Sequence, residues 1–143
     1  MFIGEYQASV DPKGRLAVPA KFRAAFNGRC VVTRGLDNSL FVYTLGEWEK
    51  LAAKLANLPI AQANTRAFSR LMLAGAMDLE IDKQGRVTLP DYLRQFADVD
   101  KQVVVAGLIN RLEIWNAAKW DAYKANAEKE STQIAEALGE MGV

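Results

Sequence analysis

The sequence predicts an α+β protein, mainly a β barrel with peripheral helices, in which two copies of one unit close on each other as an intrachain pseudo-dimer. Three observations predict it. The stretch DPKGRLAVP from Asp11 returns as DKQGRVTLP from Asp82. Residues on both sides of these stretches also match in order, over roughly 45 residues, the length of one supersecondary repeat. Apolar residues alternate with period two beside each turn, which is the pattern of half-buried strands.

At an offset of 71, Gly4 falls on Gly75, Gly14 on Gly85, Arg15 on Arg86, Pro19 on Pro90 and Arg23 on Arg94. Farther on the offset becomes 72, which sets Gly35 on Gly107, Leu40 on Leu112 and Trp48 on Trp120. One inserted residue in the second copy is the simplest account. The copies span 1–71 and 72–143, with cores at about 4–47 and 75–119.

Each element follows from local chemistry. YQASV and MDLEI alternate as first strands. Asp and Gly at the ends of DPKG and DKQG suit a type I turn with a left-handed glycine, a common hairpin connection. RLAV and RVTL return as second strands, ended by Pro19 and Pro90, which cannot continue a ladder but suit a first helical turn. KFRAAF and DYLRQF form short helices. CVVTRG and QVVVAG are third strands, Gly35 and Gly107 mark turns, and SLFVY and RLEIW are fourth strands. Thr44 with Glu47 reads as a capping box for a helix holding Trp48 and Leu51, and Asn116 caps the matching helix around Trp120. Pro59 ends the first of these helices. Another runs from about Gln62 to Leu73, and the last runs as one helix from Lys119 to Leu138. Four strands in so short a unit cannot bury enough apolar surface alone, so the copies must pack together, with Trp48 and Trp120 as packing residues.

Composition excludes much. With no histidine and one cysteine among 143 residues, histidine-based nucleophilic catalysis and structural zinc are ruled out. Phosphate-cradling glycine motifs are absent. Asp78, Glu80 and Asp82 share one strand face and read as solvated carboxylates, with no metal, cofactor or catalytic role assigned. Cys30, within an apolar run, reads as a buried thiol. No long apolar run or charged leader precedes the first unit, which fits a soluble cytoplasmic protein.

Net charge is +1, but residues 1–71 carry ten Lys/Arg against five Asp/Glu, whereas residues 72–143 carry eight against twelve. Lys13, Lys21, Arg23, Arg29 and Arg34 surround the first turn in sequence, with no carboxylate between Asp11 and Asp37. Asp11, Gly14, Asp82 and Gly85 have structural roles in the turns. For Arg15 and Arg86 two readings stand: an ion pair at the hairpin mouth, or a planar fork presented to phosphate or guanine. The basic surroundings favour nucleic acid.

The doubled Asp-x-x-x-Arg motif, the opening MFIGEYQASVDPKGRLAVPAKFR and its second copy closely resemble the MraZ family of the SpoVT-AbrB superfamily, from Met1 to about Lys124. The resemblance implies AbrB-like half-barrels with swapped hairpins. It also implies a nucleoid-associated, non-enzymatic transcriptional regulator of the division and cell wall gene cluster, binding short direct repeats in promoter DNA and assembling as a closed ring. The family's DNA-binding motif falls on Asp11, Lys13 and Arg15, and on Asp82, Lys83 and Arg86, with Gln84 at the place of Lys13. Lys21 and Arg23 extend the basic surface. The alternatives are an AbrB-like antitoxin or autoregulator and a structural ring protein. The charge split further suggests that the first copy supplies most of the DNA affinity. Arg86 would then be tied to a nearby carboxylate in a second hairpin that mainly completes the barrel.

Overall fold

A computed structural model describes all 143 residues. Eight strands and six α-helices alternate in the same order in each copy. The first copy holds β1 (Phe2–Ser9), β2 (Arg15–Ala17), α1 (Ala20–Phe26), β3 (Arg29–Arg34), β4 (Leu40–Tyr43) and α2 (Leu45–Ala56). Helix α3 (Ala63–Ser69) and a π-helical turn (Arg70–Ala74) lead into the second. There follow β5 (Met77–Glu80), β6 (Arg86–Thr88), α4 (Asp91–Phe96), β7 (Gln102–Ile109), β8 (Leu112–Asn116), α5 (Ala117–Lys129) and α6 (Ser131–Ala137).

The chain is α+β, with one six-stranded antiparallel sheet ordered β1-β7-β8-β4-β3-β5 and a two-stranded ribbon, β2-β6. The first strand of each copy pairs with the other copy: β1 lies along β7, and β5 along β3. Strands β4 and β8 join the halves at the centre of the sheet. The ribbon takes one strand from each half. One core follows from this exchange. Leu16 and Val18 meet Val87 and Leu89 across the ribbon, above Cys30, Val32, Val103 and Val105 of the sheet, with Phe22, Phe26 and Leu93 closing the sides. Neither copy could bury these side chains alone.

Register corrects the alignment. Val32 lies opposite Met77, and Val105 lies opposite Tyr6, the counterpart of Met77. Val105 is therefore the counterpart of Val32, at an offset of 73. An offset of 72 would set Val32 on Val104, which instead takes the place of Val31. The connection after α4 carries two extra residues beyond the left-handed Asn27 and Asp98 (φ 53° and 51°), and the β7–β8 hairpin is one residue shorter than β3–β4. Gly107 therefore does not mark a turn. It sits within β7 between Gly4 and Leu112, where a Cβ would come within 2.7 Å of the Ile3 backbone nitrogen, and the turn falls at Ile109–Asn110.

Helix boundaries follow their caps. Thr44 Oγ1 accepts from Glu47 N at 3.2 Å, and Asn116 Oδ1 from Lys119 N at 3.0 Å. Trp48, on α2, packs against the cluster of Phe41 and Tyr43. Trp120 packs edge-on to Trp115, and its Nε1 donates to Glu5 Oε2 at 2.6 Å. Both tryptophans thus serve packing. Two helices differ from expectation. The segment from Gln62 to Leu73 ends in a π turn, whose Met72 carbonyl accepts from buried Thr33 Oγ1 at 2.7 Å. The C-terminal helix breaks at Glu130 (φ −103°), giving α5 and α6.

Candidate nucleic-acid interface

The two Asp-x-x-Gly turns stand at opposite ends of the β2–β6 ribbon. In each, the glycine N–H donates to the aspartate carbonyl at 2.9 Å, and the glycine is left-handed, at φ 83° for Gly14 and 79° for Gly85. Asp11 Oδ1 accepts from the N–H groups of Lys13 and Arg15, both at 2.9 Å, while Oδ2 accepts from Arg15 Nε at 2.6 Å. Asp82 repeats the arrangement with Gln84 and Arg86, both at 2.9 Å, and with Arg86 Nε at 3.0 Å. These hydrogen bonds from the arginine backbone, and from its side chain, hold both carboxyls below the usual aspartate range.

The ribbon pairs Arg15 with Thr88 and Ala17 with Arg86. Leu16 and Val87, between them, point inward and are buried. Strand alternation therefore sets Arg15, Ala17, Arg86 and Thr88 on one outward face. Arg15 and Arg86 are diagonal neighbours there, with backbones about 7–8 Å apart. Their side chains are 33% and 32% exposed, so the two sites offer solvent nearly equal access. Each guanidinium is hydrogen-bonded to its aspartate through Nε alone, and its terminal amino groups make no hydrogen bond within the protein. Those groups can bind a phosphate or a guanine edge bidentately. Sequence left an ion pair and a nucleic-acid contact as alternatives for these arginines; the geometry makes them compatible.

Lys13 and Lys83 are exposed on the turns, and Lys21 is exposed on α1 with its Nζ 6.0 Å from the Tyr6 ring centroid. The other basic residues near the first turn in sequence disperse in space. Arg29 pairs with Asp78 at 2.8 Å and Glu80 at 3.7 Å across β3 and β5. Arg34 lies over the rings of Tyr92 and Phe96 and donates to the Leu71 carbonyl at 3.3 Å. Arg23 belongs to the second turn, not the first. It donates Nε to the Val18 carbonyl at 2.6 Å and lies against Gly85.

The same exchange removes the charge contrast between the turns. Asp78 and Glu80 face Arg29, and Asp91 pairs with Arg94, so the carboxylates that flank the second turn in sequence have their own cations. Arg86 is tied to a carboxylate, as expected, but so is Arg15, each to the aspartate of its own turn. The foot of the first turn meanwhile opens on a cleft of about 450 Å³ lined by Arg94, Asp100 and Lys101 of the second copy. Charge counted along the sequence fails here because each first strand lies beside the other copy.

Asp78, Glu80 and Asp82 are all held by arginines. Cys30 is buried, and burial, with the nearby Asp78 charge, pushes its thiol up to about 12. No helix is long and apolar enough to cross a membrane.

Comparison with known proteins finds one family twice in the chain. The family model described as "MraZ protein, putative antitoxin-like" matches residues 1–71 and again 72–140. Curated relatives with the name "Transcriptional regulator MraZ" are similar over the whole length. That of Halothermothrix orenii is 46% identical over 143 residues, covering 100% of both chains. That of Desulforamulus reducens is 48% identical over 141 residues, covering 99% of each. That of Natranaerobius thermophilus is 48% identical over 143 residues, covering 100% of both.

Proposed function

The chain belongs to the MraZ family, and on that premise we propose that it is a non-enzymatic, sequence-specific DNA-binding transcriptional regulator. One observation carries the reading: two arginines, each oriented by an aspartate through Nε alone, present their free ends from one face of a ribbon shared by both copies. A two-stranded ribbon fits the major groove of B-DNA, where arginine reads guanine O6 and N7. Lys13, Lys21 and Lys83 add phosphate contacts beside it.

The target is promoter DNA with short direct repeats, upstream of the division and cell wall genes, bound by a closed ring of chains on the nucleoid in the cytoplasm. One ribbon makes few contacts; several linked in one ring multiply their effect through effective concentration. The pairings of β1 with β7, β5 with β3 and β2 with β6 support the AbrB-like reading of the fold, with swapped hairpins and half-barrels completed within one chain. The repeats at 1–71 and 72–143 are copies of one unit, not independent folding domains.

The test is a titration of the protein on DNA from upstream of its own gene against scrambled DNA of the same composition. Preference for the native DNA is expected, and equal affinity for both would overturn the proposal.

A further inference from the structure

An arginine from each copy lies against the turn of the other. Arg94, on α4, donates Nε to the Leu89 carbonyl at 3.0 Å. Its guanidinium covers the open side of Gly14 so closely that a Cβ there would lie 2.8 Å from Nε and 2.9 Å from Cζ. Arg23, on α1, does the same to Gly85, where a Cβ would lie 2.8 Å from Cδ and would overlap the guanidinium. A left-handed glycine leaves a flat, side-chain-free surface, and the planar guanidinium is the cationic group that can lie on it.

These contacts continue into the ion pairs. Arg94 Nε holds the Leu89 carbonyl, Leu89 N–H donates to Gly14 O at 2.9 Å, and Gly14 N–H donates to Asp11 O at 2.9 Å, whose carboxylate orients Arg15. The other half repeats each link. Arg23 Nε holds the Val18 carbonyl, Val18 N–H donates to Gly85 O at 2.9 Å, and Gly85 N–H donates to Asp82 O at 2.9 Å, whose carboxylate orients Arg86.

We infer that each DNA-contacting turn is a composite of both copies, with Arg94 the positioning residue for the Asp11–Arg15 turn and Arg23 the positioning residue for the Asp82–Arg86 turn. The inference rests on the DNA-binding reading above. It assigns Arg94 a part in DNA binding, and it reassigns Arg23 from the turn near it in sequence to the turn near it in space. The two differ in one respect: Asp91 pairs with Arg94, whereas Ala20 stands at the corresponding place before Arg23.

A double-mutant cycle on full-length protein tests it, with affinity for upstream DNA as the readout and melting temperature and assembly size checked for each variant. Arg94→Ala should weaken binding about two- to thirtyfold, the range over which residues acting through a neighbour modulate a site. Combined with Arg15→Ala it should cost less than the product of the single losses; combined with Arg86→Ala it should cost the full product. Arg23→Ala should show the opposite pairing. If Arg94→Ala lowers the melting temperature, Arg94→Lys is used instead: it keeps the charge but not the planar plate, and should still weaken binding. Unchanged binding by both Arg94 variants, or coupling of Arg94 to Arg86 in place of Arg15, would overturn the inference while leaving the DNA-binding reading intact. Full affinity retained by Arg15→Ala and Arg86→Ala alike would overturn both.

Discussion

Arg15→Ala and Arg86→Ala should weaken binding to upstream DNA equally. Each substitution removes one guanidinium whose Nε is held by an aspartate and whose side chain is about one-third exposed, 33% for Arg15 and 32% for Arg86. A good bidentate arginine–guanine pair is worth about 1–3 kcal/mol, so each loss should be roughly five- to 150-fold per contact. A contrast between the two needs a difference in local field. Asp78, Glu80 and Asp91, which would supply it at the second turn, are paired with Arg29 and Arg94. Ion pairs at this exposure leave little net field, so the two variants should agree within about threefold. Fluorescence anisotropy on one labelled duplex reads both, after melting temperature and assembly size are shown to match the parent. A tenfold greater loss at either arginine would show instead that one turn dominates.

Three further outcomes follow from the same structure. Leu16→Ala, at a side chain 2% exposed between the ribbon and the sheet, should cost about 2–5 kcal/mol and be read as a lowered midpoint in denaturant; a loss under about 0.5 kcal/mol, the range of ordinary surface changes, would show that the ribbon is not seated on the core. Residues 1–71 and 72–143 expressed separately should each lack cooperative unfolding by circular dichroism and regain it when mixed, since β1, β5 and the ribbon pair only across copies; a cooperative transition in either half alone would contradict this. Asp11 and Asp82 ionise below the ordinary aspartate range of the unfolded chain, so the unfolded state takes up their protons first as pH falls; their stabilisation is complete above about pH 5 and is lost in increasingly acid solution. With no histidine in the chain, the urea midpoint should be nearly flat from about pH 5.5 to 8 and fall below about pH 4; a step near neutral pH would refute that assignment.

Local chemistry was legible in the sequence and partnership between copies was not. Asp and Gly at fixed spacing specified both turns, proline ended both ribbon strands, and Thr44 and Asn116 marked helix starts, because each signal acts within a few residues. Leu16 and Val87 point inward and the two arginines outward, as alternation along the ribbon strands requires. Pairing was another matter. Nothing in the spacing says that β1 lies beside β7, so sequence proximity points Arg23 to the first turn, although its guanidinium rests on Gly85. The matched glycines Gly35 and Gly107 hid two extra residues after α4 and one fewer in the following hairpin, because an alignment by identity cannot see register. The π turn at Arg70–Ala74 and the break at Glu130 had no proline or glycine to announce them.

If the shared ribbon binds DNA through a set of cations, its affinity must depend on salt. Affinity for upstream DNA is measured from low to physiological salt, for the parent and for Arg15→Ala/Arg86→Ala. If Lys13, Lys21 and Lys83 each neutralise one phosphate while Arg15 and Arg86 read guanine, log affinity should fall against log salt with a slope of about −2.7 per ribbon, at about −0.9 per phosphate. The double variant should be weaker at every salt concentration, with a slope close to the parent's, because it loses base contacts and keeps the phosphate contacts. Affinity that does not change with salt, or a double variant that binds like the parent, would contradict the account.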